Sequence, residues 1–217
     1  MKKKGPPRRQ ALSRERIVET ALALADARGD FSMRALGQRL RVDPMAIYRH
    51  FRDKEALLDA MVDAAMAGLK APLPDSGTPR ERLHRMCVDF LACLDDHPGV
   101  AMRVATTRPT LGPHTVSLTE ACLALLREMG LDAREATRGF MMVIRFITGV
   151  AAANEHVRAH GANEAEWQEE MRSGYASVSP TDHPNVAAMA NEIASLGFQE
   201  EFEYGLDLLL EGLERRR

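Results

Sequence analysis

Apolar residues recur at steps of three and four positions along most of the chain, which is the periodicity of amphipathic α-helices. Cap residues, and prolines at first helical positions, divide the pattern into segments. The sequence therefore predicts an all-α fold. The predicted helices cover residues 13–29, 33–40, 44–51, 53–70, 79–96, a short stretch from 98, 114–129, 133–160, 184–196 and 198–213, and residues 161–181 are expected to form a weakly patterned, mobile excursion.

Residues 32–54 are the most informative part of this pattern. Ser32 caps a first short helix, and Asp43 followed by Pro44 starts a second one, so a tight turn joins the two. This arrangement is typical of a DNA-reading helix-turn-helix, whose second helix enters the major groove. Two short core helices with solvated charges are the alternative interpretation. The residues expected to contact bases and phosphates are Arg34, Pro44, Met45, Ala46, Tyr48, Arg49, His50 and Lys54.

Four short motifs carry a resemblance to a known family. They lie at residues 16–21 (RIVETA), 33–37 (MRALG), 47–51 (IYRHF) and 54–58 (KEALL). Through them, residues 12 to about 60 resemble the DNA-binding domain of the TetR family of bacterial transcription regulators. The resemblance implies a homodimer that binds double-stranded operator DNA and releases it when a small-molecule effector binds. One position departs from the family pattern, because Arg41 in the turn stands where glycine is common.

Charge is distributed unevenly along the chain. Residues 1–54 contain 14 Lys and Arg against six Asp and Glu, a net charge of +8, and the whole chain carries −2, so residues 55–217 carry −10. A basic N-terminal part attracts phosphates and an acidic remainder is repelled by them, which favours a nucleic-acid partner. Residues 1–10 are predicted to be a disordered basic arm that lies along the DNA backbone or reaches into the minor groove, with a solvated tail as the alternative.

These features predict a chain with several parts. The disordered basic arm occupies residues 1–10, the helix-turn-helix DNA-binding domain residues 11–54, and a connecting helix residues 55–71. Residues 72–77, with two prolines and one glycine, are expected to be a hinge. The ligand-binding and dimerisation domain occupies residues 78–217.

Apolar stripes on the last two long helices predict a dimer interface. Their positions repeat at alternating steps of three and four, as in coiled-coil seams. Leu208 and Leu210 make the last helix apolar on more than one face. The resemblance implies a four-helix bundle between two copies, whereas the alternative is that both stripes face the core of one chain. The predicted interface residues are Phe140, Ile147, Val150, Phe202, Leu206, Leu209 and Leu213.

The C-terminal part resembles the tetracycline-repressor branch of the family through residues 107–110 (TRPT) and 202–213 (FEYGLDLLLEGL). By this resemblance Phe90 matches an aromatic residue of the drug pocket. Lys70, Met86, Val104 and Glu120 stand where the tetracycline repressors use a His, an Asn, a metal-ligating His and a Gln. Magnesium-tetracycline is therefore not the expected effector. The candidate pocket residues are Met86, Phe90, Met102, Val104, Arg108, His114, Glu120, Met141 and Arg145.

Other kinds of chemistry find little support in the sequence. No glycine-rich phosphate loop, nucleophile elbow or metal triad is present, so neither an enzyme nor a bound cofactor or metal is expected. The three cysteines form no Cys-x-x-Cys pair, and the basic N-terminus precedes no apolar segment, so a cytoplasmic location without membrane insertion is expected. A peripheral membrane-binding protein, and a metal or redox sensor using the cysteines or the His156/His160 pair, remain as alternatives.

Overall fold

The structure is a computed structural model that describes residues 11–28, 32–70, 76–106, 110–159 and 163–216. Within these ranges the chain forms twelve α-helices and no strand, as the apolar periodicity predicted. The helices are α1 Arg14–Arg28, α2 Met33–Leu40, α3 Pro44–Tyr48, α4 Lys54–Met66, α5 Pro79–Asp96, α6 Pro98–Thr106, α7 Pro113–Glu128, α8 Ala133–Ala159, α9 Glu164–Ala176, α10 Pro184–Ala188, α11 Ala190–Ser195 and α12 Phe198–Glu214.

The first four helices enclose a small core of their own, and we call this part the head. Ile17 of α1, Leu36 of α2 and Ile47 of α3 are fully buried in it, together with Phe51 just beyond α3. The guanidinium of Arg14 lies 4.1 Å from the centre of the Phe51 ring, and so covers this side of the core. Each short helix is thereby held by large apolar side chains rather than by its own length.

The remaining helices enclose a second, larger core, and we call this part the body. Long helix α8 is its centre, with α5, α6, α7 and α12 packed around it. Ala133–Val157 of α8 is long and apolar enough to cross a membrane by length and composition alone, a test that core helices of globular proteins also pass. The packing of α8 against four neighbours gives it the role of a core helix.

Helix α4 belongs to both cores. Leu57 and Met61 in its first half are buried in the head, whereas Val62, Ala65 and Met66 in its second half are buried in the body. The predicted connecting helix therefore contributes side chains to both cores. Helix α4 ends at Met66, four residues before the end of the helix predicted over residues 53–70.

The segment predicted as a mobile excursion contains a regular helix, α9. Asn163 and Glu166 form a capping box at its start, and Trp167, Met171 and Tyr175 form a half-buried stripe at four-residue spacing. Helix α9 packs on α10 and α11, which replace the single helix predicted for residues 184–196. The prediction failed here because the apolar stripe is short and lies within a glutamate-rich sequence.

Candidate DNA-binding surface and ligand pocket

The turn between α2 and α3 is built from local hydrogen bonds. The Ser32 hydroxyl accepts the Ala35 N–H at 3.0 Å, and the Asp43 carboxylate accepts the Met45 N–H at 2.8 Å. Arg41 ends α2 in the left-handed region, with φ 58° and ψ 44°, and it is the only non-glycine residue with positive φ among those described. A glycine adopts this conformation more readily than any other residue, which explains why glycine is common at this position. In this chain Arg41 adopts it instead.

Helix α3 presents a mixed apolar and polar surface to solvent. Its inner side is anchored by Ile47, while Met45 is 66% and Tyr48 40% exposed. Pro44 and Ala46 are half-buried beside them, and Arg34 of α2 is exposed. An outward-facing tyrosine and a large exposed methionine on a one-and-a-half-turn helix are suited to contact base edges in a groove.

The structure corrects the predicted placement of Arg49 and His50. Helix α3 ends at Tyr48, so Arg49 is its C-cap and His50 lies beyond the helix. Arg49 is exposed, but His50 is half-buried and its backbone oxygen accepts a hydrogen bond of 2.9 Å from the Arg14 guanidinium. Lys54 is the half-buried first residue of α4. Residues 1–10, the predicted basic arm, lie outside the described residues.

The body contains an apolar cavity of about 360 Å³ between α4, α5, α7 and α8. Val62 and Met66 of α4 are part of its wall, so the cavity directly touches the helix that the head shares. Leucine, methionine, valine, isoleucine and phenylalanine side chains form most of the rest. The polar groups of the wall are the hydroxyls of Thr110, Thr115, Thr119 and Thr148 and the charged side chains of Lys70, Asp89 and Arg145.

The structure brings most of the described candidate pocket residues into this wall, namely Met86, Phe90, Val104, Met141 and Arg145. His114 and Glu120 are exposed and do not line the cavity, contrary to expectation. The reason is helical phase, since α7 turns Thr115, Leu118, Thr119 and Cys122 inward and leaves His114 and Glu120 on other faces. Met102 and Arg108 fall outside the described side chains. The threonines were missed because a hydroxyl at helical spacing resembles an ordinary solvent-facing residue.

The cysteines have the properties of buried structural thiols. Cys87 and Cys122 both line the cavity. Burial raises the pKa of the Cys122 thiol to about 12 and also raises the pKa of Cys87, where the neighbouring Cys122 adds to the effect. Burial, with Asp96 nearby, raises the pKa of Cys93 to about 11. Thiols that stay protonated near neutral pH react slowly with oxidants, which argues against a redox switch at these residues.

The described residues contain no group of three or more His, Cys, Asp or Glu side chains that could hold a metal ion. His156 is exposed on α8, and His160 lies outside the described residues. Among the described residues, none of those that line the cavity is a histidine. The wall's apolar side chains, hydroxyls and charged groups of both signs are suited to contact an organic ligand.

Four of the seven residues predicted for the dimer interface are instead buried within a single chain. Ile147, Phe202, Leu206 and Leu213 are buried among the helices of the body, and Phe202 stacks on Phe146 with ring centres 5.7 Å apart. Phe140, Val150 and Leu209 are half-buried against the same core. The exposed large apolar residues of α8 and α12 are Met142, Tyr204 and Leu208. Spacing alone could not tell which of two apolar faces turns inward.

Polar contacts tie the head to the body. Arg103 of α6 forms ion pairs with Glu55 at 3.0 Å and Asp59 at 2.7 Å, both on α4. His97, which ends α5, lies 2.9 Å from the Asp26 carboxylate of α1. Gly99 of α6 is pressed against α1, because a Cβ placed on it would lie 2.6 Å from the Cβ of Ala25. The head is thus held on the body at α1 and α4 rather than tethered by a loop.

Known proteins match the chain along nearly its whole length. Residues 17–61 match the family described as bacterial regulatory proteins, tetR family, and residues 71–217 match the tetracyclin repressor-like C-terminal domain. The HTH-type transcriptional repressor DrrR1 of Streptomyces coeruleorubidus is 31% identical over 97% of this chain and 80% of its own length. The tetracycline repressor protein class C of Escherichia coli is 29% identical over 95% of this chain and 92% of its own.

A solved structure agrees with the fold. The Streptomyces coelicolor TetR family protein ActR, in complex with actinorhodin, superposes with a TM-score of 0.83 at 29% identity, covering 94% of this chain and 97% of ActR. The match includes both the helix-turn-helix and the body. The chain therefore belongs to the TetR family, as a transcriptional repressor with a DNA-binding domain and a ligand-binding domain.

Proposed function

We propose that this repressor is a homodimer that binds a palindromic operator and leaves it when a small molecule occupies the cavity of the body. The observation that carries the proposal is the position of the cavity. Its wall includes Val62 and Met66, and five residues before Met66 the same helix supplies Met61 to the core of the head. A ligand that displaces α4 must therefore move the head as well.

For the DNA contact we propose that Met45, Tyr48 and Arg49 meet the major groove and that Arg34 meets phosphate. Their exposure around a buried Ile47 supports this assignment. The half-buried predicted residues are expected to make only peripheral contacts with the DNA; they are Pro44, Ala46, His50 and Lys54. A two-fold dimer would place its two α3 helices roughly 34–36 Å apart, one turn of DNA, which requires a palindromic site.

For the dimer we propose an interface on the outer faces of α8 and α12, centred on Met142, Tyr204 and Leu208. Three large apolar side chains exposed on two adjacent long helices are unusual for a surface that stays in water. Gly149 and Gly212 have open space where a Cβ would lie, so a second copy can approach the backbone there. This face takes the place of Ile147, Phe202, Leu206 and Leu213 of the predicted stripe, which are buried within one chain.

For the effector we propose a largely apolar organic molecule with a few hydroxyl or carbonyl groups, different from magnesium-tetracycline. The apolar wall and its four threonine hydroxyls support this class. ActR, which shares the fold and 29% of the sequence, binds actinorhodin in its solved structure. Lys70, Met86 and Val104 occupy wall positions where the tetracycline repressors place polar and metal-binding residues.

The test begins with a duplex selected by the full-length protein from a random-sequence library. Fluorescence anisotropy of that duplex is then measured while actinorhodin, or tetracycline with magnesium, is added. We expect actinorhodin to release the duplex at a lower concentration than tetracycline with magnesium does. Release by tetracycline only when magnesium is present would contradict the effector class, and failure to select any duplex would contradict the operator proposal.

A further inference from the structure

The first turn of α7 is capped by a side chain from another helix. The residue at the cap position, Gly112, has no side chain to accept the free N–H groups. The Asp63 carboxylate of α4 takes this role, because its Oδ1 accepts the backbone N–H of Thr115 at 2.9 Å and the Thr115 hydroxyl at 2.8 Å. A carboxylate at a helix N-terminus is favoured by both the hydrogen bonds and the helix dipole.

The contact between Asp63 and α7 is possible only because residue 112 is glycine. A Cβ placed on Gly112 would lie 2.2 Å from the Asp63 Cγ and 2.6 Å from its Cβ. The backbone of Gly112, with φ −70° and ψ 160°, is open to any residue. The absence of a side chain is therefore required by the close approach of α4 and not by the conformation of the chain.

Two threonine hydroxyls connect this contact to the cavity. The Thr115 hydroxyl has one proton and two acceptors in reach, the Asp63 carboxylate at 2.8 Å and the Gly112 carbonyl at 3.1 Å. The nearer acceptor is also the charged one, so the proton goes to Asp63, and the Thr115 oxygen accepts the Thr110 hydroxyl at 3.4 Å. Both threonines line the cavity. A polar path therefore runs from the cavity wall to a carboxylate on α4.

Asp63 lies where α4 passes from one core to the other. The buried residue two positions before it, Met61, belongs to the head, and the buried residue two positions after it, Ala65, belongs to the body. A shift of the first turn of α7 is thus applied to α4 at the boundary between the two cores. An α-helix transmits such a shift along its length, because it is rigid over distances of this order.

We propose that Asp63 is the positioning residue that transmits occupancy of the cavity to the head, by holding the first turn of α7 on α4. The inference rests on the proposed function, since it assigns the contact by which that cavity acts on DNA binding. A ligand placed against Thr110 and Thr115 moves the first turn of α7, and Asp63 follows because two donors of that turn bind its carboxylate. By reciprocity, DNA bound to the head changes the affinity of the cavity for its ligand by the same factor, and on this proposal it acts through the first turn of α7.

Reciprocity allows a test without the effector. Hydrogen exchange of the full-length chain is measured by mass spectrometry with and without the selected duplex, on peptides that cover residues 44–48 and 113–119. In the wild-type protein the duplex should protect the first peptide and change the exchange rate of the second by about fivefold or more, the lower end of ordinary coupling between sites.

Two variants break the contact from opposite sides. Asp63→Ala removes the acceptor, and Gly112→Ala keeps every polar group but separates α7 from α4. In both, the duplex should still protect residues 44–48 at saturation, while its effect on residues 113–119 falls to less than about twofold. Because the measured quantity is a ratio with and without DNA, a loosening of α7 that is equal in the two states cancels. The matched control is Gly174→Ala on α9, where a Cβ meets open space.

The hydroxyl is tested by rescue. Thr115→Val should lower the DNA-induced change and Thr115→Ser should restore it, whereas Thr137→Val, which removes a hydroxyl bonded only within α8, should behave as wild type. A fivefold response that persists in both Asp63→Ala and Gly112→Ala would overturn the inference, as would a wild-type response confined to residues 44–48. A wild-type chain in which no duplex protects residues 44–48 contradicts the proposed function itself, and that readout separates the two failures.

Discussion

The head and the body are stabilised in different ways, although both are helical and share α4. In the head, the caps of α2, α3 and α4 come from the residues next to each helix, namely Ser32, Asp43 and Asp53. In the body, α5 and α9 also have local capping boxes, but α7 takes its cap from a residue 52 positions away. The body also contains an apolar cavity of about 360 Å³, which α7 helps to line. The helix starts that present α3 are therefore set locally, whereas one helix beside the cavity depends on a distant contact for its start.

The largest difference in the effect of a substitution should appear between Leu206 and Leu208 of α12. Leu206 is 0% exposed and Leu208 is 53% exposed in a single chain. Leu206→Glu buries a charge without a partner, so we expect loss of the folded body, an effect of several kcal/mol. Leu208→Glu should leave each chain folded and separate the dimer.

Circular dichroism and analytical ultracentrifugation distinguish these outcomes. A folded monomer of the Leu206→Glu variant would restore the predicted stripe as the interface, because the charge would then have separated two copies without disrupting the core. A folded dimer of Leu208→Glu at micromolar concentration, with unchanged operator affinity, would contradict the interface on the outer faces.

Truncation of a phenylalanine should have unequal effects in the two regions. Phe51→Ala leaves a cavity in the small core of the head and should destabilise it by about 3–5 kcal/mol. Phe90→Ala enlarges a cavity that already exists, so we expect a loss below about 2 kcal/mol. Urea denaturation followed by hydrogen exchange measures both values region by region. Equal losses would mean that the body is packed as tightly as the head.

The outward surface of α3 should affect DNA binding and not stability. Tyr48→Ala removes a 40% exposed side chain and should weaken operator binding by about 1–3 kcal/mol while the melting temperature changes little. Arg85→Ala, an exposed cation on α5, serves as a control for the loss of a large surface residue. A gel-shift titration with the selected duplex decides the matter, and an unchanged affinity for Tyr48→Ala would remove this residue from the interface.

The smallest effect on stability is expected at Arg41, in the turn between α2 and α3. Arg41→Gly relieves a left-handed conformation that costs an L-residue about 1–2 kcal/mol, but glycine gains about 0.5–1 kcal/mol of freedom in the unfolded chain. The net change should be a stabilisation of no more than about 1 kcal/mol. Thermal unfolding checks the sign. A lower melting temperature would show that Arg41 makes a stabilising contact that outweighs its backbone strain.

Much of the head could be predicted because its determinants are short-range. The starts of α2 and α3 are set by residues at most three positions away, namely Ser32, Asp43 and Pro44. The predicted end of α3 was three residues too late, since Arg49 has helical dihedral angles and only its hydrogen bonds end the helix. The half-buried place of His50 follows from that shorter helix.

In the body, the sequence by itself determined that long helices would form and that α8 and α12 would carry apolar stripes. It left open which face of each stripe turns inward, because a period of 3.6 residues is the same for a core and for an interface. Only the tertiary structure buried Leu206 and exposed Leu208, turned Thr115 towards the cavity, and placed Asp63 against the start of α7. These outcomes depend on contacts between residues far apart in the chain, whose geometry exists only once α4, α7 and α8 have packed together.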